Sequence, residues 1–115
     1  GSRSGANAIV IWMLLKAYGS EGWTNKMNEL NKRTDFLCNK LDQLEVEYFR
    51  NPFINIVAIK ANEINTELAK KYELVADTYE HTPSWWKIVV MDHVSYQILE
   101  NFIAEFESYK LAKAI

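Results

Sequence analysis

A single cysteine, Cys38, in 115 residues excludes an internal disulfide and a multi-cysteine metal cluster, and it makes a reducing compartment, the cytoplasm, the expected setting. The only histidines, His81 and His93, are twelve positions apart, and neither follows a Glu at Glu-x-x-His spacing, so no local pattern suggests a metal. Four glycines and two prolines are too few and too scattered to make a linker or a low-complexity stretch. There is no Gly-x-Gly-x-x-Gly, Walker loop or nucleophile elbow. Charge of one sign is also lacking: 13 Lys plus Arg against 15 Asp plus Glu leaves −2, with the lysines scattered among acids. Without a basic field, nucleic acid is not an expected partner. The longest uninterrupted apolar run, residues 8–15, is shorter than the roughly 20 residues a membrane-crossing helix needs. No membrane span is expected.

What is present is an ordinary folding composition, 49% hydrophobic and 24% charged, in a length that suits one domain and is too short for a complete large enzyme. One segment fits poorly with self-sufficiency. Residues 6–18, ANAIVIWMLLKAY, have only Asn7 and Lys16 as strongly polar positions. As a helix this stretch is apolar almost all round and must be covered on every side. A domain of this size buries roughly 65% of its unfolded surface, so polypeptide outside the chain is expected to provide the cover. A signal peptide is a competing reading, since Arg3 precedes the apolar run, but the run passes into Lys16, Ala17 and Tyr18 without a clear cleavage site. A core helix of a larger or dimeric protein is the preferred reading.

Past Gly19 and Gly22, the positions Trp23, Met27, Leu30, Thr34, Leu37, Leu41 and Leu44 recur at helical spacing and predict a long amphipathic helix started by Ser20 and Glu21. Lys26, Glu29, Lys32, Arg33 and Lys40 are expected on its solvated face. Residues 46–49 and 53–60 predict two short strands joined by a turn at Arg50, Asn51 and Pro52. A third helix over 63–72 is capped by Asn62 and turns Ile64, Leu68 and Tyr72 to one side. Strands over 74–79 and 85–91 follow, separated by a break at His81, Thr82 and Pro83. Ser95 then opens a last helix with Ile98, Leu99, Phe102, Ile103 and Phe106 inward. The expected fold class is α+β: a small antiparallel sheet with helices packed on one face, in the order ααββαββα, the first an apolar connecting helix.

Few residues stand out for chemistry. The opening Gly1-Ser2-Arg3-Ser4-Gly5 runs straight into a helix whose free amides and positive end favour a phosphate or carboxylate. The bland alternative is a flexible end, with Gly1-Ser2 a remnant of an expression tag. His81 and His93 read as turn and helix-start residues, and Cys38 as a small core hydrophobe without an activating base. Trp85 and Trp86 are adjacent on a strand, so they point to opposite faces and at most one lines any given pocket. Bottom-up, the chain reads as a catalytically incomplete domain.

The opening residues 1–8, the apolar helix with Trp12, then Tyr18-Gly19 and Gly22-Trp23, resemble the group II pyridoxal-phosphate-dependent amino acid decarboxylases of the aminotransferase-like fold type I superfamily. Arg50-Asn51-Pro52 before a strand, and residues 87–95, KIVVMDHVS, are similar to two later elements of that family, in the same order. Asp92 stands where the family pattern has proline. Bacterial histidine decarboxylases look nearest, with tyrosine, aspartate and glutamate decarboxylases close behind. The resemblance covers the C-terminal portion of such an enzyme. It implies residues 1–19 as a connecting helix from a large domain and 20–115 as a small domain, with a homodimer partner. It also implies pyridoxal phosphate as cofactor, Ser2 and Arg3 near the cofactor, Asn7 near the amino acid substrate, and no catalytic residue here, because the family's cofactor-binding lysine and stacking histidine lie upstream. The rival expectation is a stand-alone α+β ligand- or protein-binding module that self-associates through residues 6–18.

Overall fold

The computed structural model describes residues 5–114. Its first element, α1 (Gly5–Gln43), joins the two expected helices across a kink at Gly19, where φ 66 and ψ 178 lie in a region open essentially to glycine alone. Burial begins only in the second half of α1. Leu30, Thr34, Leu37, Cys38 and Leu41 are buried, with Thr34 Oγ1 donating to the Leu30 carbonyl at 2.7 Å, whereas Met27 is exposed. The helix ends in a left-handed Glu45 (φ 58), which lets the Val46 amide reach back to the Leu41 carbonyl at 3.1 Å.

Four strands follow: β1 (Tyr48–Arg50), β2 (Ile56–Lys60), β3 (Val75–Ala76) and β4 (Trp85–Val89). They form one antiparallel sheet in the order β1-β2-β4-β3. Every strand is shorter than its apolar run predicts, because local hydrogen bonds capture the ends. Val46 belongs to the helix cap. Asn51 accepts from the Phe53 amide through Oδ1 (3.0 Å) and from the Ile54 amide through its carbonyl (3.2 Å), folding 51–55 into a turn. Arg50 is consequently in β1, not in the turn. Asp77 Oδ1 accepts from the Ser84 amide at 2.9 Å and closes the loop between β3 and β4.

The third expected helix is split. A 3-10 turn (Ala61–Glu63) precedes α2 (Thr66–Lys71), because buried Ile64 is extended (φ −133, ψ 142) to reach the core. Asn62 is therefore not its cap; Asn65 holds that position without a side-chain cap bond. A second left-handed residue, Glu73 (φ 59), ends α2, and the Leu74 amide returns to the Ala69 carbonyl at 2.9 Å. α3 (Tyr96–Ala114) is capped as expected by Ser95 Oγ, which accepts from the Ile98 amide at 3.2 Å. Leu99, Phe102, Ile103 and Phe106 are buried, while Ile98 is exposed. Helices and sheet enclose one core containing Leu37, Leu41, Val57, Ile59, Trp86 and Phe106. This is the α+β layer arrangement, in the element order read from the sequence.

Candidate functional site

Ser2 and Arg3 lie outside the described residues, so the structure does not place them. Asn7 sits near the start of α1, on its exposed first half. That half is the least ordinary surface of the molecule. Ile9 and Trp12 are each 60% exposed, Val10, Ile11, Met13, Leu14, Leu15 and Tyr18 are exposed with them, and no other part of the described chain covers the rod. Stable single domains do not leave so large an apolar surface to water.

The kink at Gly19 is spanned by aromatic and ionic contacts. The Tyr18 and Trp23 rings lie 5.1 Å apart, and Lys26 Nζ sits 5.4 Å above the Tyr18 ring while pairing with Asp92. The hydrogen bond to Asp92 holds the Lys26 pKa above its ordinary value. Gly22 fits here because a Cβ would stand 3.0 Å from Tyr18 Cβ.

The same helix grips the junction between β4 and α3. Arg33 donates to the Asp92 carbonyl (3.0 Å), the Val94 carbonyl (3.2 Å) and Glu29 Oε1 (3.2 Å). Asp92, the departure from the resembled pattern, thus has a partner in Lys26. Lys26 and Arg33 are not simply solvated, as their charge pattern suggested. Their long apolar stems reach across the surface and carry the charge to acceptors 59 or more residues away. His93 is exposed in this junction, and His81 is exposed in the loop between β3 and β4. Among the described residues, no group of three or more His, Cys, Asp and Glu side chains is placed to hold a metal.

Sequence reading missed the polar cluster on the other side of α1. Arg50 pairs with Asp35 and donates through Nε to the Ile54 carbonyl at 3.3 Å, while its Nη2 is buried without a hydrogen bond. Tyr48 donates to Asp42 Oδ1 at 2.8 Å. Burial, reinforced by Asp42, pushes the Tyr48 pKa well up, and burial likewise raises the Cys38 thiol against the opposing pull of Arg50. A high-pKa, buried thiol is a poor nucleophile, so Cys38 is a core residue as expected. These groups line an open concavity of about 860 Å³ together with Asn39 and Glu47. A phosphate-bearing cofactor does not fit it. Asp35, Asp42 and Glu47 outnumber the one cation, and Arg50 is already paired. The sequence signal was Arg50 itself, hidden by its assignment to a turn.

These features define a class: an α+β domain with a closed core, no catalytic constellation among its described residues, and a protruding apolar helix that needs another body. Comparison with known proteins gives that class its relatives. No family model matches the chain. Tryptophan decarboxylase of Clostridium sporogenes is 42% identical over 109 residues, 95% of this chain and 26% of its own length. L-aspartate decarboxylase of Thermococcus kodakarensis is 28% identical over 106 residues, 91% of this chain and 27% of its own length. Among solved structures, L-methionine decarboxylase from Streptomyces sp. 590 superposes with a TM-score of 0.73 at 21% identity, over 94% of this chain and 23% of that one, which establishes a shared fold. The chain's homologues are thus amino acid decarboxylases, and it spans about a quarter of the length of the curated relatives it matches.

Proposed function

We propose that the chain is the C-terminal domain of a pyridoxal-phosphate-dependent amino acid decarboxylase, a carbon-carbon lyase that releases CO2 from its substrate. The observation that carries this reading is the 42% identity to a tryptophan decarboxylase across 95% of the chain. On this reading residues 1–19 connect to a large domain and residues 20–115 are the small domain, the break falling at the Gly19 kink. The apolar rod is covered by the large domain and by a homodimer partner, in the cytoplasm. Ser2 and Arg3 lie toward the cofactor and Asn7 toward the substrate, an aromatic or acidic amino acid or histidine. The names of the relatives carry tryptophan, aspartate and tyrosine.

The described residues form no cradle for the cofactor, so no catalytic step is assigned to them. Their part is packing and closure: the core holds the sheet, and Arg33 and Lys26 fix the β4–α3 junction against α1. The chain alone is expected to be inactive. Two measurements test the proposal. Added pyridoxal phosphate should leave the isolated chain without a stoichiometric change in visible absorbance. The full-length product of the gene should release CO2 from at least one of tryptophan, tyrosine, phenylalanine, histidine, aspartate and glutamate, dependent on that cofactor. Failure of CO2 release across all of them overturns the reading.

A further inference from the structure

A second cavity, of about 100 Å³, lies where the end of α2, the end of β4 and the start of α3 meet. Buried Leu74, Ile88, Leu99 and Phe102 line it, and the half-buried Tyr72 ring stands edge-on to Phe102 at 5.2 Å. Exposed Val89 and Ile98 carry the apolar lining outward to a rim that also holds Glu73 and His93. The walls are fixed. Phe102 is packed edge-on by Phe106 at 5.6 Å, and the Leu74 amide is tied to the Ala69 carbonyl at 2.9 Å. On the other side the Val94 amide donates to the Met91 carbonyl at 2.9 Å, while Arg33 holds the Val94 carbonyl at 3.2 Å. An apolar void that cannot collapse destabilises a fold roughly in proportion to its volume. A ligand that fills it is bound with that much advantage.

Size and charge together define the occupant. An apolar cavity of about 150 Å³ takes benzene, so one of about two-thirds that volume suits an aliphatic group of about four or five carbons. A fused ring system is too large to enter it. No lysine or arginine lines the cavity, and Glu73 is its one carboxylate. Among the described residues Glu73 takes part in no ion pair. A cation at the rim therefore meets an unpaired carboxylate beside an aromatic ring, and both attract it. An anion there meets only like charge.

We propose that this cavity binds a small aliphatic primary ammonium ion, its carbon chain among Leu74, Ile88, Leu99 and Phe102 and its charged end at Glu73. The interior supplies the affinity by removing apolar surface from water, and the rim supplies the preference for a cation. A neutral molecule of the same shape gains the first and forgoes the second. The inference goes beyond the decarboxylase reading and does not depend on it, because every group it uses lies on the described chain.

The test is a titration of the full-length product of the same gene with isopentylamine, isopentyl alcohol and isovalerate, read by NMR at the methyl groups of Ile88, Ile98 and Leu99. Saturable shifts at these methyls are expected with the amine, about threefold weaker binding with the alcohol, and no response to the carboxylate. Glu73→Gln should bring the amine down to the affinity of the alcohol. Val94→Phe, which adds bulk to a half-buried wall, should abolish the response to both. Glu73 is exposed, so its variant tests the charge whether or not the Val94 variant folds. Absence of saturable shifts at the three methyls overturns the proposal, and so does a cavity already filled by another segment of the protein. Equal binding of amine and alcohol, or amine binding unmoved by Glu73→Gln, overturns the ammonium. The readout needs no turnover: binding without CO2 release leaves this inference standing and sinks the decarboxylase reading, and the converse sinks only the amine site.

Discussion

Replacing Gly19 with alanine isolates what the kink in α1 costs and what holds it. At φ 66 and ψ 178 a β-carbon meets no atom within 4 Å, so the penalty is purely conformational. Holding a non-glycine residue in such a region costs about 1–3 kcal/mol, whereas alanine in a straight helix is better than glycine by about 1 kcal/mol. Against straightening stands the Tyr18–Trp23 pair at 5.1 Å, a contact of about 0.5–1.5 kcal/mol. The Lys26 ammonium over the Tyr18 ring at 5.4 Å adds about 0.5–1 kcal/mol at such an exposed site, and the balance still favours a straight helix in the isolated chain. The change in shape is large. A straight helix of the 39 residues in α1 spans about 58 Å, longer by itself than the 54 Å of the whole molecule's longest axis. Small-angle scattering of Gly19→Ala should therefore show an increased maximum dimension, with the denaturation midpoint nearly unchanged. An unaltered dimension together with a stability loss of about 1–3 kcal/mol would refute the reasoning, since it would mean that contacts beyond those of Tyr18 fix the bend.

Other expectations follow from the same structure. Ile11→Lys together with Leu15→Glu should reduce self-association in sedimentation experiments without lowering the urea midpoint, because both side chains are exposed; a lower midpoint would show that the rod packs on this domain. Phe106→Ala removes a fully buried ring that packs edge-on against Phe102 at 5.6 Å, and should cost about 3–5 kcal/mol in chemical denaturation. Burial, with the Glu105 carboxylate close by, pushes Tyr72 up to about 12 from an ordinary 10.0. The folded state then keeps its phenol proton where the unfolded chain loses it, so this contribution is complete below pH 10 and disappears as pH rises toward 12. Tyr72→Phe should flatten that alkaline loss of stability, and an unchanged alkaline limb would contradict the assignment.

How much of this was legible in the sequence depended on which force set each feature. Core positions were legible because periodicity reports burial directly: Leu30, Leu37 and Leu41 on α1 and Leu99, Phe102 and Phe106 on α3 are buried as their spacing predicts. Element ends were less so, because single hydrogen bonds decide them. Asn51 turns the chain after β1, and buried Ile64 interrupts a helix that local pattern alone would continue. The charged residues of α1 were the least legible. Lys26 and Arg33 share the helical spacing of a solvated face, yet their acceptors are Asp92 and Val94, brought alongside only by the finished fold. Pattern reading knows which residues share a face of one element but not which loop will lie against that face, so long-range polar contacts escape it even where every apolar contact is anticipated. The exposed rod is the instructive opposite. Its apolar surface was legible without knowledge of the fold, since residues 8–15 lack a polar side whatever they are placed against, and the fold leaves it uncovered. A hydrophobic surface that neither periodicity nor tertiary packing satisfies is a demand the described residues do not meet, and its shape is that of a rod kinked at Gly19.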